Sequence, residues 1–154
     1  MANIRDLPPE EREAFHQEAE SRLQTFSYAP PDGTERVKDI VPLCKTDLLR
    51  IHVQVVKDGG ENNLHYHVNS DTCWMVLRGR VRFYGVGDKI LAELGPHEGI
   101  MIPGGSRYWF EKTGDEPLEI LQMVGIDRAR GRDRRVNLDT HKEWMQEKEL
   151  QNYE

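Results

Sequence analysis

The chain has 154 residues and a formal net charge of −6 at pH 7, which is the size of one ordinary domain. Hydrophobic residues make up 37% of the chain and charged residues 31%, a composition typical of a globular protein rather than a disordered one. Its apolar runs are far too short to cross a membrane, and its acidic balance does not support a nucleic-acid-binding surface. We therefore expect one soluble domain that binds neither membranes nor nucleic acids.

The first 34 residues predict a helix followed by a linker. Residues 8–24 begin with prolines and acidic residues, which favour a helix N-terminus, and Phe15, Ala19 and Leu23 recur every four residues. That stripe is suited to packing on the body of the protein or on a partner subunit. The N-terminus lacks the apolar segment of a secretory signal, so we expect a cytoplasmic protein. Cys44 and Cys73 are too few for a disulfide framework and are expected to be reduced.

Residues 35–126 predict an all-β barrel or sandwich. Short runs rich in β-branched and aromatic residues alternate with Gly, Pro, Asp and Asn. The predicted strands are 36–41, 47–57, 63–67, 72–78, 80–86, 89–94, 99–102, 106–112 and 117–125. Glycine turns at 78–82 and 85–89 suggest that neighbouring strands pair as antiparallel hairpins.

The strand predicted at 47–57 has a clean alternation of apolar and polar residues. Arg50, His52 and Gln54 share its polar face. This face is either the solvated outside of the sheet or the lining of a ligand cavity in a small barrel. The pattern alone does not separate the two.

Residues 127–154 carry the basic cluster of this acidic protein, followed by a predicted C-terminal helix. Arg128, Arg130, Arg132, Arg134 and Arg135 are interpreted as a solvated loop or a subunit contact in preference to an anion site. Asp139 or Thr140 is suited to cap the helix, with Trp144 as its apolar anchor.

His65 and His67 are the strongest chemical signal in the sequence. They lie one residue apart on a predicted strand, so both imidazoles point to the same face. Imidazole is the commonest metal ligand, but three protein ligands normally hold a catalytic ion. The pair is therefore half of a metal site or part of an ordinary polar strand face.

In this setting the sequence resembles the cupin superfamily. The stretch GGENNLHYHVNSDTCWMVLRG matches the first family motif in its glycines and its two histidines, and LGPHEGIMIPGGSRYWF matches the second motif at Leu94, Pro96, Glu98, Pro103 and Gly105. The resemblance implies a single double-stranded β-helix, or jelly-roll barrel, with short terminal helices. His97 stands at the family's turn glycine and is expected to be exposed.

Two positions depart from the family's ligand set. The glutamate ligand position falls on Thr72, beside Asp71, and the second motif's histidine position falls on Tyr108. Asp71 has the opposite parity, so it could approach the site only through a strand bulge. Tyr108 is therefore the preferred third group, either as a phenolate ligand or as a hydrogen-bond donor and general acid.

Three functions remain open at this point. The first is a metalloenzyme in which His65 and His67, with Tyr108 as possible third ligand, bind Fe, Ni, Cu, Mn or Zn and act on a small carboxylate-bearing substrate. Family frequency favours oxidoreductase, dioxygenase-like chemistry over isomerase or lyase chemistry. The second is a metal-independent epimerase or isomerase with a histidine base and Tyr108 as acid, and the third is a non-catalytic binding protein.

The remaining substrate contacts follow from parity. Trp74 and Phe110 would form an apolar wall, and Arg50, His52 and Gln54 would supply polar groups, with Arg50 placed to bind a carboxylate. Core packing is the preferred explanation for each aromatic residue taken singly. The resemblance and the surplus terminal segments also predict a homodimer.

Overall fold

The computed structural model of the protein describes residues 3–132 and 134–138. One α-helix, α1, spans Pro9–Glu20, and short 3₁₀ turns lie at Ile4–Asp6, Val86–Asp88 and Arg128–Arg130. The ten strands are β1 Lys38–Lys45, β2 Leu49–Val56, β3 His65–His67, β4 Ser70–Arg78, β5 Arg80–Tyr84, β6 Ile90–Leu94, β7 Gly99–Ile102, β8 Trp109–Thr113, β9 Leu118–Ile126 and β10 Arg135–Asn137. No helix in this part of the chain is long and apolar enough to cross a membrane.

The strands form two facing sets of antiparallel sheet. One sheet has five strands in the order β1-β2-β9-β4-β7, and the opposite side consists of β6-β5-β8 and the pair β10-β3. A backbone bridge between His65 and Tyr108 joins these last two groups, because each residue donates its N–H to the other's carbonyl oxygen at 3.1 and 3.0 Å. The predicted all-β jelly-roll barrel is confirmed.

The core lies between the two sheets. It is made by inward-facing apolar side chains of both sheets, which contribute to the buried cluster Val56, Trp74, Val76, Val81, Phe83, Leu94, Ile102, Tyr108, Phe110, Leu118 and Ile120. Alternation along each strand produces this arrangement, since every second residue points inward. Packing of the aromatic rings fixes the wall on which the candidate site is built.

The turn at Gly79 differs from the predicted hairpin. The strands before and after it, β4 and β5, belong to different sheets, so the chain crosses from one side of the barrel to the other. Gly79 has a φ of +81°, and a Cβ there would lie 2.6 Å from the carbonyl oxygen of Pro117. Glycine is required by this crossing rather than by a tight hairpin. The turn at 85–89 does join a paired hairpin, β5 and β6.

The terminal segments also depart in part from expectation. Helix α1 ends at Glu20, four residues before the predicted end, and none of its residues is buried. Strand β10, which falls in the predicted arginine-rich segment, pairs with β3. The predicted C-terminal helix, with Asp139, Thr140 and Trp144, lies outside the described residues.

Candidate functional site

The inside of the barrel opens into a cavity of about 1320 Å³. Its wall includes the inward face of β2, which decides between the two interpretations of that strand: the polar face lines the lumen. Seven of the predicted site residues line the cavity, namely Arg50, His52, Gln54, His65, His67, Trp74 and Tyr108. A site of this size is sufficient to enclose a small organic molecule.

His65, His67 and Tyr108 form one cluster on the β3 side of the cavity. The ring centroids of His65 and Tyr108 are 4.5 Å apart, and those of His65 and His67 are 5.3 Å apart. Nδ1 of His65 lies 2.7 Å from the backbone oxygen of Asn63. Because a carbonyl oxygen only accepts, Nδ1 carries the proton and Nε2 is the basic nitrogen.

Burial and neighbouring cations lower the pKa values of His65 and His52. Desolvation is the largest cause that lowers the pKa of His65 well below its usual value, and the charge of Arg135 lowers it further. Burial likewise lowers the pKa of His52 to about 4, with smaller contributions from Arg50 and Lys38. A neutral imidazole can accept a proton, which is the state a general base requires.

A buried amide pair orders the opposite wall. Nε2 of Gln54 donates to Oε1 of Gln122 at 2.9 Å, and Gln122 also makes a side-chain hydrogen bond with His52. This network fixes the side chains on neighbouring strands β2 and β9, where His52 and Gln122 are opposite one another. Oε1 of Gln54 is buried without a hydrogen-bond partner within the described part of the chain.

Trp74 and Phe110 take different positions relative to the cavity. Trp74 lines it and is 2% exposed, and its indole nitrogen is buried with no hydrogen-bond partner among the described residues. Phe110 is fully buried behind Trp74, with ring centroids 5.3 Å apart, and is not part of the cavity lining. Phe110 therefore supports the wall from behind, and its predicted contact with substrate stays a prediction.

The cavity is strongly basic, although the protein as a whole is acidic. Six lysine and arginine side chains line it, and no aspartate or glutamate does so among the described residues. These cations are Lys38, Lys45, Arg50, Arg132, Arg134 and Arg135. The lining is therefore electrostatically complementary to an anion.

Three of these arginines belong to one segment, which we call the C-terminal strap and define as residues 127–132 and 134–138. Asn69 holds its beginning by donating from Nδ2 to the backbone oxygen of Gly131 at 2.6 Å, and Arg128 donates to the backbone oxygen of Asp47 at 2.8 Å. Pairing of β10 with β3 holds its end. Arg132, Arg134 and Arg135 of the arginine cluster therefore line the cavity, while the first two also remain exposed to solvent.

Arg135 links the strap directly to the histidine cluster. Its guanidinium donates to Oδ1 of Asn63 at 2.7 Å, while the backbone oxygen of Asn63 accepts from His65. Sequence reasoning missed Gln122 and Lys38 as parts of the site. Lys38 is buried at 2% exposure, and its parity with Ile40 on the predicted first strand was the available signal.

Thr72 and Asp71 do not supply the carboxylate that the cupin metal motif uses. Thr72 is buried on the inward face of β4, but Asp71 is exposed and accepts a hydrogen bond from the backbone N–H of Gly104 at 2.8 Å. His97 is exposed with a φ of +69°, as its glycine-like turn position predicted.

The donor set does not fit a tightly held divalent metal. Among the described residues, no group of three or more His, Cys, Asp or Glu is placed to hold an ion. His65 and His67 would need Tyr108 as a phenolate, in a cavity whose six basic side chains disfavour a dication.

Two facing antiparallel sheets around a cavity, with a His-x-His strand in its wall, define a small jelly-roll protein. Residues 52–124 match the family model described as a cupin domain. These residues of the chain are therefore a cupin domain. A search of the curated proteins gave no match.

Solved structures with the same fold are similar to this chain at low identity. A protein with a double-stranded β-helix domain from Klebsiella pneumoniae is 19% identical, with a TM-score of 0.62 over 80% of this chain and 96% of that one. A cupin superfamily protein from Desulfitobacterium hafniense is 20% identical, with a TM-score of 0.56 and coverages of 69% and 99%. KdgF from Halomonas sp. is 15% identical, with a TM-score of 0.57 and coverages of 69% and 96%. At these identities the likeness shows the fold alone.

Proposed function

We propose that the protein binds a small organic anion inside the barrel and acts on it by metal-independent acid–base chemistry, as an isomerase or epimerase does. The observation that carries the proposal is the contact between His65 and Tyr108 in a basic cavity. Their ring centroids are 4.5 Å apart, and no acidic side chain lines the cavity among the described residues. Both side chains can therefore contact the same substrate molecule from one wall of the cavity.

His65 is the base in this proposal. Its Nδ1–H is held by the backbone oxygen of Asn63, which fixes both the tautomer and the orientation of the ring. Nε2 is then the nitrogen that accepts a proton from carbon or oxygen of the substrate. Burial keeps the pKa of His65 low, so the ring is unprotonated before reaction.

Tyr108 is the acid. Its side chain is 2% exposed and packs against His65, so its hydroxyl acts in a site shielded from bulk water. A protonated phenol can donate to a substrate oxygen on which negative charge develops. The surrounding arginines and lysines stabilise that charge and retain the anionic substrate.

A metal-dependent oxidoreductase is the alternative function, and it would use the same residues as metal ligands. It requires both histidines and an ionised Tyr108 to coordinate one ion. The bonded Nδ1 of His65 leaves Nε2 able to act as a ligand, which is the feature that favours this candidate. The missing carboxylate and the basic lining weigh against it.

Solvent-exchange experiments separate the two functions. A panel of small hydroxy acids and sugar acids is incubated with the protein in D₂O, and deuterium incorporation at carbon is followed by mass spectrometry, with and without a chelator. We expect exchange that the chelator leaves unchanged and that Tyr108→Phe slows about 100-fold or more, the usual scale of a lost general acid. Exchange that disappears with chelator and returns with one added metal would instead support the metalloenzyme.

Elemental analysis provides the matched measurement. The wild type is compared with His65→Ala, His67→Ala and Tyr108→Phe for bound Fe, Ni, Cu, Mn and Zn. Under the acid–base proposal none of the four proteins carries stoichiometric metal. Stoichiometric metal in the wild type that both histidine variants lose would contradict the proposal.

A further inference from the structure

Positive charge is concentrated at one end of the cavity. Lys45 and Arg50 are register partners on β1 and β2, beside the loop that joins these strands. The strap starts at the same end, because the backbone N–H of Ile126 donates to the oxygen of Leu48 at 2.8 Å and Arg128 donates to the oxygen of Asp47. Arg132 and Arg134 then follow on the strap, and both are exposed at the surface of the cavity.

We call this end of the cavity the basic mouth and define it by Lys45, Arg50, Arg132, Arg134 and Arg135. Two of its members, Arg50 and Arg135, are half-buried, and the other three are exposed. A group bound at the mouth therefore meets guanidinium side chains from the barrel wall and from the strap.

The inner part of the cavity has a different chemistry. Inward-facing residues along β2 run from Arg50 through His52 to Gln54, a distance of about 13 Å at the usual strand rise. Trp74, 2% exposed, and Gln54, 3% exposed, each present a buried polar atom that has no hydrogen-bond partner within the described residues. Buried polar atoms are normally paired, so this donor and this acceptor indicate a polar but uncharged portion of a ligand.

The charge at the mouth exceeds what one carboxylate requires. A carboxylate carries a single negative charge and two oxygens, whereas a phosphate monoester carries about −1.5 to −2 at pH 7 and three strong acceptor oxygens. Guanidinium groups bind such oxygens in a bidentate manner, and several of them can share one phosphate. Five cations with no acidic side chain in the described lining match the larger charge.

We infer that the substrate is a phosphorylated small molecule whose phosphate is bound at the basic mouth, while its uncharged portion lies against Trp74 and Gln54. This inference rests on the proposed function only for the placement of the reacting carbon beside His65 and Tyr108. Arg132 and Arg134 of the strap are then specificity-determining residues, because they distinguish a phosphate from a carboxylate.

Calorimetric titration of the full chain tests the inference. The probes are inorganic phosphate, inorganic pyrophosphate, acetate and succinate, compared at equal ionic strength. We expect phosphate and pyrophosphate to bind at least 10-fold more tightly than acetate and succinate, with affinity that falls as salt rises. Succinate binding as tightly as both phosphate probes would overturn the assignment in favour of a dicarboxylate, and no binding of either phosphate probe would overturn it outright.

Matched variants assign the binding to the strap. Arg132→Gln with Arg134→Gln should weaken pyrophosphate binding at least 10-fold. Arg5→Gln with Arg22→Gln removes the same charge from exposed positions outside the cavity and should leave binding within about twofold. Equal losses in both double variants would mean a general charge effect and would refute the site.

Tyr108→Phe separates this inference from the proposed function. The substitution removes the acid but no cation, so phosphate binding is expected to persist while solvent exchange slows about 100-fold or more. If binding persists and the wild type shows no acid–base exchange, the proposed reaction fails and the phosphate site stands. Thermal unfolding of each variant confirms that the protein remains folded. A strap variant that fails to fold is replaced by Arg132→Lys with Arg134→Lys, which keeps the charge but removes bidentate binding. Its pyrophosphate affinity should fall by a smaller factor than that of the glutamine variant.

Discussion

His52 should make the folded state sensitive to acid. It is 4% exposed, and burial, with Arg50 and Lys38 nearby, lowers its folded-state pKa to about 4 from an unfolded value of 6.5. A depressed folded pKa means that the unfolded chain binds the proton first. Stability from this residue is therefore fully present above pH 6.5 and is lost as the pH falls toward 4.

The size of the effect follows from the shift. A difference of about 2.5 pKa units corresponds to about 3 kcal/mol of unfolding free energy between pH 7.5 and pH 4, since each unit is worth 1.36 kcal/mol. His65 adds a loss in the same direction. The comparison of wild type with His52→Gln isolates the first contribution, because glutamine cannot take up a proton.

Urea unfolding at a series of pH values measures this contribution. Glutamine can still hydrogen bond with Gln122, and the readout is the slope with pH rather than the stability at one pH. We expect His52→Gln to lose about 3 kcal/mol less than the wild type between pH 7.5 and pH 4. His16→Gln, on the exposed surface of α1, is the matched surface control. Equal slopes for wild type and His52→Gln would refute the assignment of a buried neutral imidazole.

Three further outcomes are expected. Arg135→Gln should raise the pKa of His65 part of the way toward its usual value, as followed by NMR titration. The charge of Arg135 is one cause of the lowered pKa, and burial, the larger cause, remains in the variant. An unchanged pKa of His65 would contradict this electrostatic effect of Arg135. Gly60→Ala should cost about 2 kcal/mol or more in a urea melt, because its Cβ would overlap the carbonyl group of Val37, whereas Gly125→Ala, with open space around it, should cost far less. Light scattering should give a homodimer of twice 17.9 kDa, and an exclusively monomeric species would contradict the predicted pairing.

Local pattern was sufficient to predict most of the barrel wall. Strand alternation placed Arg50, His52 and Gln54 on one face, and the cavity shows that this face points inward. The same parity brought His65 and His67 to one wall and kept Asp71 out of it. These predictions succeeded because side-chain direction in a strand is fixed by the backbone itself, residue by residue.

Segments that are far from the barrel strands in sequence determine the positive charge of the cavity, and packing between strands determines which aromatic residues line it. The sequence determined the cupin fold, the nine strands predicted between residues 35 and 126 and the histidine pair. It did not determine that Arg132, Arg134 and Arg135 return to the cavity, because this depends on the pairing of β10 with β3 and on anchors such as Asn69. Nor did it place Phe110 behind Trp74. Contacts between residues far apart in the chain depend on how sheets pack and cross, and no periodicity within a single segment encodes that.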